Sequence, residues 1–486
     1  MPMETYQNVV IGSGEGGKYL AWHLAQSGQK TAVVERRWIG GSCPNTNCLP
    51  SKNEIWSAKV ANLVYHASKL GSMTRPGPVD MAVVRKRKRQ MVEGLIAMHL
   101  DRYKATGAEL ILGEARFSGG NTIDVKLNDG GTRTLHGERI FLNLGTHAAI
   151  PPIPGLVDSA PLTNIEVLEL DRLPEHLIVI GGGYIGLEFA QAFRRFGSRV
   201  TILHQGTQLL DKADPDVAAE IVRMFTAEGI DVLAPTKIVG VHGRSGTGIT
   251  IDIETGFGES QISGSDVLVA TGRIPNTAGI GLESAGIEVD ERGYIKVNER
   301  LEATAPNVWA IGECAGSPQF THASLDDFRV IRDNLAGGNR STRHRAIPSC
   351  LFIDPPVAQI GLTENEARRQ GIEVQVAKSP MTAVLRTRTV DETNGFMKAL
   401  IDPNDGKILG FTMIGPEAGE VMTVVQMAIL AGFQSTVLKD AILTHPTMAE
   451  GLNVLFSSVK LANRDGGKAN DIKSPSAAAC NFSLMT

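Results

Sequence analysis

The chain has 486 residues, 48 Lys+Arg against 52 Asp+Glu, a net charge of -4 and a hydrophobic fraction of 42%. That length and apolar content suit about three domains and exclude wholesale disorder or collagen-like repetition. The near balance of charge supplies no global field for nucleic acid or an anionic membrane, so small molecules and further copies of the chain are the expected partners.

The first seven residues carry Glu4 and no apolar stretch, and the strand-like run Asn8-Val9-Val10-Ile11 follows at once, so neither a signal nor a transit peptide is expected. The nearest approach to a membrane span, Leu177 to Phe193, is broken by Gly181, Gly182, Gly183, Gly186 and Glu188. Five cysteines in a chain this long do not make a secreted disulfide framework. They read as reactive thiols in a reducing compartment, which predicts a cytoplasmic protein.

Val9 to Glu35 aligns without a gap on Ile178 to His204, at a constant offset of 169 residues. Each copy predicts a strand, a G-x-G-x-x-G turn (Gly12, Gly14, Gly17; Gly181, Gly183, Gly186), an amphipathic helix closed by Gly28 or Gly197, and a second strand. These glycines allow a tight turn, close approach to a pyrophosphate and close helix packing, and the helix N-terminus favours the phosphate charge. Two such units predict two dinucleotides, and the natural redox pair is a flavin and a nicotinamide. Glu35 at the end of copy one suits the free ribose hydroxyls of FAD. His204 and Gln205 at the end of copy two lack that negative charge, which favours NADPH over NADH while leaving NADH possible.

After copy one comes Gly40-Gly41-Ser42-Cys43-Pro44-Asn45-Thr46-Asn47-Cys48-Leu49-Pro50-Ser51-Lys52. No second ligand pair supports zinc. Cysteines at this C-x4-C spacing need a distorted first helical turn to form a disulfide, with Pro44 as the first helical residue and Cys43 as its cap. A helix N-terminus there lowers at least one thiol pKa.

This segment, behind an FAD-type glycine motif, resembles the class I pyridine nucleotide-disulfide oxidoreductases, from about residue 6 to about residue 460. The resemblance implies that Cys48 contacts the flavin in a charge-transfer complex, that Cys43 exchanges with substrate and that Lys52 lies near the reactive flavin nitrogen. It also implies that Glu188 pairs with Lys52 and that Tyr184 gates nicotinamide entry. Asn143-Leu144-Gly145-Thr146 and Ala270-Thr271-Gly272-Arg273 resemble the loops leaving the two nucleotide domains, so Gly145 and Gly272 join the expected cofactor contacts, with Ser42 from the redox loop. Gly312-Glu313 stands where the family has Gly-Asp on the flavin ribityl chain, and Asn47 replaces a usual glycine at a position where φ > 0 is expected. His445 and Glu450 resemble an interface motif in which the histidine, oriented by the glutamate, serves the partner subunit's thiols as general acid-base.

Three features are set aside: Arg85 to Arg89 as a solvated helix face, Cys314 and Cys350 as packed or idle thiols, and Cys480 in a Gly-, Ser- and Ala-rich tail from about 463. The expected fold is α/β, with two Rossmann-like dinucleotide-binding domains, for FAD (1–155 and 276–345) and NAD(P) (156–275), and an α+β dimerisation domain (346–486). The expected activity passes electrons from NAD(P)H through FAD to the Cys43–Cys48 pair and on to a lipoamide-like disulfide or related acceptor, in a homodimer. Trp22 and Glu15 disfavour an anionic glutathione disulfide. A mercuric ion reductase is the nearest alternative, and a redox sensor or quinone- and oxygen-reactive oxidase is the alternative of another class.

Overall fold

The computed structural model describes residues 3–72 and 77–459; the tail from 463, with Cys480, lies outside the described residues. The first sheet has a parallel core in the order Glu109–Gly119, Thr31–Glu35, Glu4–Ile11, Thr132–Leu142 and Val308–Ala310. Its outer long strands overrun this core and pair antiparallel with Thr122–Leu127. Every residue of Thr31–Glu35 is buried, as expected of a strand covered on both faces, and that double burial explains its run of β-branched residues. Helices around this sheet are α1 (Glu15–Gln26), α2 (Ser42–Asn45), α3 (Cys48–His66) and α4 (Met81–Thr106).

A second parallel sheet runs Asp266–Val269, His176–Ile180, Arg199–Leu203, Ile230–Leu233. It is served by α5 (Tyr184–Phe196) and α6 (Pro215–Ala227), and an antiparallel meander over Lys237–Gly264 packs against it. The sequence repeat is therefore a structural repeat: α1 and α5 begin 169 residues apart. Gly12 (φ +96°) and Gly181 (φ +115°) make the same left-handed turn, where an added Cβ would lie 2.2 Å from the Asn143 carbonyl oxygen and 2.3 Å from that of Ala270. No other residue type fits both the angle and the space. The chain crosses between sheets through the short pair Thr146–Ala148 with Arg273–Pro275, and α7 (Thr321–Leu335) then returns to pack on α1.

The last sheet is wholly antiparallel, in the order Ser349–Leu351, Val357–Gly361, Ile408–Ile414, Phe396–Ile401, Gln375–Pro380, with the helix Ala418–Leu430 on one face. It is tied to the second sheet by Lys398, only 2% exposed, whose Nζ donates to Asp214 (2.8 Å), Asp216 (2.8 Å) and Glu364 (2.7 Å). The ammonium thus occupies the centre of this carboxylate cluster.

The basic run on α4 is exposed at Lys86, Arg87 and Arg89, as expected of a solvated helix face, but most of its side chains have partners. Lys88 is buried and donates to the Leu168 carbonyl and Glu169, Arg89 also bonds Glu169, Arg85 pairs with Asp171 at 2.9 Å, and Arg87 donates to Asn53 at 2.8 Å. Three of its five charges are paired with carboxylates of the protein itself, which weakens it as a basic patch. Among the described residues, no helix is long and apolar enough to cross a membrane.

Candidate active site

The redox loop departs from the expected helix start. Gly41, with φ +78°, caps α2, so Cys43 and Pro44 lie inside its first turn and Cys43 is not the cap. Proline is tolerated there because first-turn amides have no intrahelical partner. The backbone breaks at Thr46 and Asn47, and Cys48 opens α3. Asn47 has φ -130°, so it is not held at a positive φ; its side-chain oxygen instead accepts from Asn164 Nδ2 at 2.7 Å. The break is the distortion that C-x4-C spacing demands, and it turns both free thiols toward one cavity of about 1810 Å³.

Around Cys48 the structure assembles donors from distant elements. Its Sγ lies 3.1 Å from Thr321 Oγ1 at the start of α7, and the Cys43 thiol bonds it. That bond holds the Cys48 thiol well below the ordinary range against the opposing effect of burial, and Thr321 and the Lys52 ammonium add to the lowering. Cys43, donating to Cys48 and largely buried, is pushed the other way. Lys52 Nζ donates to Glu188 Oε2 at 2.7 Å, and the amide of Phe352 donates to the other Glu188 oxygen at 2.9 Å. Tyr184 stands at the cavity edge, edge-on to Phe320.

A prediction follows from Thr321. Because the Cys48 pKa is lowered, its thiolate persists as pH falls through the usual thiol range and is lost only below it. Thr321→Val removes one donor, so the thiolate should be lost at a pH higher by on the order of one unit. Anaerobic pH titration of the reduced enzyme, followed by thiolate-flavin absorption, measures this.

At the first glycine loop, Glu35 accepts from the Ser13 amide (2.9 Å) and hydroxyl (2.8 Å) and from the amides of Arg37 and Trp38. Gly17 donates to Asn143 Oδ1 (3.0 Å), and Gly41 crosses so close to Gly14 that an added Cβ would sit 2.5 Å from its Cα. Ser42 begins α2 over this crossing. Gly145 (φ +64°) and Gly312 (φ +74°) close adjacent turns, and the Gly312 amide donates to buried Asp327 at 2.7 Å. Glu313 lines the cavity, but its carboxylate accepts from Thr146 and lies 3.5 Å from Arg273 Nε, so it is turned toward protein partners.

The residues fit two dinucleotides on several observations. Neither α1 nor α5 has a side-chain N-cap; in α1 the amides of Gly16 and Gly17 are taken by Ser324 and Asn143, which leaves those at the very start of the helix, whereas the first turn of α5 presents its amides to phosphate. Added Cβ atoms at Gly183 and Gly272 would meet no protein atom, although both stand on the cavity wall. Arg273 Nη1 is buried, has no hydrogen-bond partner among the described residues and belongs to a side chain lining the same cavity.

Two relationships with known proteins agree with this geometry. Residues 6–327 match the family model described as pyridine nucleotide-disulphide oxidoreductase, and residues 347–455 match that family's dimerisation domain. The chain belongs to the class I pyridine nucleotide-disulfide oxidoreductases.

It is 36% identical over 463 residues to the probable pyridine nucleotide-disulfide oxidoreductase RclA of Escherichia coli, spanning 94% of this chain and 100% of RclA. The solved Cu(II) complex of that HOCl-induced flavoprotein disulfide reductase superposes with a TM-score of 0.86 at 35% identity, over 94% of this chain and 100% of the other. A mercuric reductase of Acidithiobacillus ferrooxidans is 35% identical over 92% of this chain and 81% of its own length. A dihydrolipoyl dehydrogenase of Thermus scotoductus is 34% identical over 93% and 96%. Like its family, the protein is a flavoenzyme that uses FAD and NAD(P)H to reduce disulfides.

Several side chains differ from expectation. Trp22 is buried, edge-on to Tyr103, and does not line the cavity. Glu15 is neutralised by Lys18 at 2.7 Å, so it adds no net negative charge. Cys314 is a packed thiol, raised to about 11 by burial, but Cys350 lines the cavity, its thiol pushed up to about 12 chiefly by burial. His204 is held between the Gly182 amide and Asp211, so a carboxylate does stand at the edge of the second site. Sequence reading missed Thr321, Asp211 and Asp327, which carry no local motif. Arg273 lay inside a recognised turn, but nothing in the sequence marked its unmet donor.

Proposed function

We propose that the acceptor is a neutral or apolar disulfide of the lipoamide type, or a quinone-type acceptor, and that the enzyme works as a homodimer in the reducing cytoplasm. The observation that carries this reading is the lowered Cys48 thiol beside Cys43, facing the cavity that Lys52, Glu188 and Tyr184 also line. We assign the FAD domain to 1–155 and 276–345, the NAD(P) domain to 156–275 and the interface domain to 346–486, in keeping with the three largest sheets. When bound, FAD supplies the two-electron relay between NAD(P)H and the cysteine pair.

Electrons reduce the Cys43–Cys48 disulfide to the dithiol. Cys43, whose raised thiol gives its proton to His445 of a second copy, then attacks the substrate S–S bond and expels one thiol, and Cys48 attacks the mixed disulfide, expels the second thiol and restores the pair. Each leaving sulfur needs a proton. His445, whose Nδ1 lies 2.8 Å from Glu450 Oε2, is 64% exposed, which suits a role toward a second copy's thiols. The same domain also exposes Ile442, Leu430, Met427 and Phe433, apolar surface of the kind a subunit contact covers. His445→Gln should lower disulfide turnover by about 10²- to 10³-fold while leaving flavin reduction by nucleotide nearly unchanged; stopped-flow measurement of both half-reactions checks this.

Glutathione disulfide is disfavoured because Lys18, the one lysine of α1, is already paired with Glu15. Soft-metal transfer needs several thiolates, and Cys350, the third thiol of the cavity, is held protonated. Anaerobic turnover with lipoamide, glutathione disulfide, a quinone, Hg(II) and Cu(II) tests the reading. Lipoamide or quinone should be fastest; mercury-dependent oxidation of the nucleotide exceeding all others would overturn it.

A further inference from the structure

The two glycine repeats make the same hydrogen bond with different chemistry. In the first, the Ser13 amide donates to the Glu35 carboxylate at 2.9 Å. In the second, 169 residues on, the Gly182 amide donates to His204 Nδ1 at 3.2 Å. An imidazole that accepts at Nδ1 carries its proton on Nε2. That Nε2 donates to Asp211 Oδ1 at 3.0 Å. The negative charge missing from the strand end is therefore displaced outward by one imidazole ring.

The placement is sterically defined. An added Cβ at Gly206 would lie 2.3 Å from Asp211 Oδ1 and 2.7 Å from His204 Nε2, so the chain between them passes directly against the pair. His204, Gln205, Gly206 and Asp211 all line the cavity beside Gly181, Gly182 and Gly183. Asp211 remains well exposed, and so can reach a ligand. The cations of the cavity wall already have acidic neighbours: Lys237 with Glu254 (2.7 Å), Lys52 with Glu188 (2.7 Å) and Arg273 with Glu313 (3.5 Å).

We propose that Asp211, presented by His204, makes the second dinucleotide site selective for NADH. The carboxylate accepts hydrogen bonds from the adenosine ribose hydroxyls, and a 2′-phosphate in their place meets like charge. The inference rests on the redox reading above, and it reverses the NADPH preference suggested by His204 and Gln205 alone.

Calorimetric titration of the FAD-loaded enzyme with NAD⁺ and NADP⁺, and anaerobic flavin reduction by NADH and NADPH, test it. The parent enzyme should favour NAD⁺ and NADH by about ten- to a hundredfold. Asp211→Asn should narrow that ratio about tenfold, mainly by tighter NADP⁺ binding, and His204→Ala should narrow it too. Equal or tighter binding of NADP⁺ by the parent, or an unchanged ratio in Asp211→Asn, overturns the selectivity while leaving the disulfide chemistry intact. Failure of both nucleotides to reduce the flavin would instead overturn the redox reading itself.

Discussion

Cys43→Ser is expected to reduce disulfide turnover by on the order of 10⁴-fold or more, while the long-wavelength thiolate-flavin absorption of Cys48 survives. Cys48→Ser is expected to lose both. The asymmetry comes from the split helix. Cys48 opens α3 and accepts from Cys43, with Thr321 at 3.1 Å and Lys52 one turn further on, and these donors, Cys43 foremost, lower its thiol. Cys43, in the preceding turn, donates to Cys48 and is raised. On the proposed mechanism Cys48 holds the thiolate beside the flavin and Cys43 is the exchanging sulfur, whose loss leaves no bond to the substrate. Both variants retain the glycine loops and Glu35, so both should bind FAD. Anaerobic reduction spectra and lipoamide turnover separate the two roles; turnover within tenfold of the parent in Cys43→Ser would refute this assignment.

The second large effect is on stability. Lys398→Met should destabilise the fold by roughly 3–5 kcal/mol, because it strips the counter-ion from a carboxylate cluster taken out of water. Asp214, 2% exposed, also accepts from the amides of Glu364 (3.1 Å) and Asn365 (3.0 Å), and these two bonds do not neutralise its charge. The Asp216 carboxyl is held below its ordinary range by Lys378 and Lys398 against the opposing effect of burial. Its contribution is thus present above the unfolded carboxylate pKa and is lost as pH falls through the lower folded value. Losing Lys398 should reduce that acid-side loss. Thermal unfolding of the FAD-loaded protein at neutral pH and at about pH 4 measures both effects; an unchanged midpoint at neutral pH would show that the cluster does not hold the two sheets together.

The same contrast between local and distant partners decides what could be read in advance. The repeat at an offset of 169 residues was legible because a βαβ unit writes its turn, helix and strands into some 27 consecutive residues, and its glycines are required by backbone contacts within the unit. The Lys52–Glu188 pair came from a family motif, and the structure brings the two side chains to 2.7 Å. The basic run on α4 is largely exposed, as read, but its partners Asn53, Glu169 and Asp171 and the burial of Lys88 were hidden, because no helical periodicity records them. Trp22 misled for a related reason: its helix position gave no sign that α4 would bury it against Tyr103.

By itself the sequence determined two dinucleotide folds and the cysteine loop between them, since each is a short pattern whose spacing is its own constraint, and the family resemblance marked the His445–Glu450 pair. Only the tertiary structure decided that Cys48 is lowered, because the backbone break lets Cys43 donate to it and Thr321, 273 residues away, reaches it by the return of α7. It likewise decided the charge at the second nucleotide site. A histidine read alone suggests a missing carboxylate, but its hydrogen bonds to Gly182 and Asp211 restore one. Such side chains act through space at a few ångströms, and only the folded chain places them there.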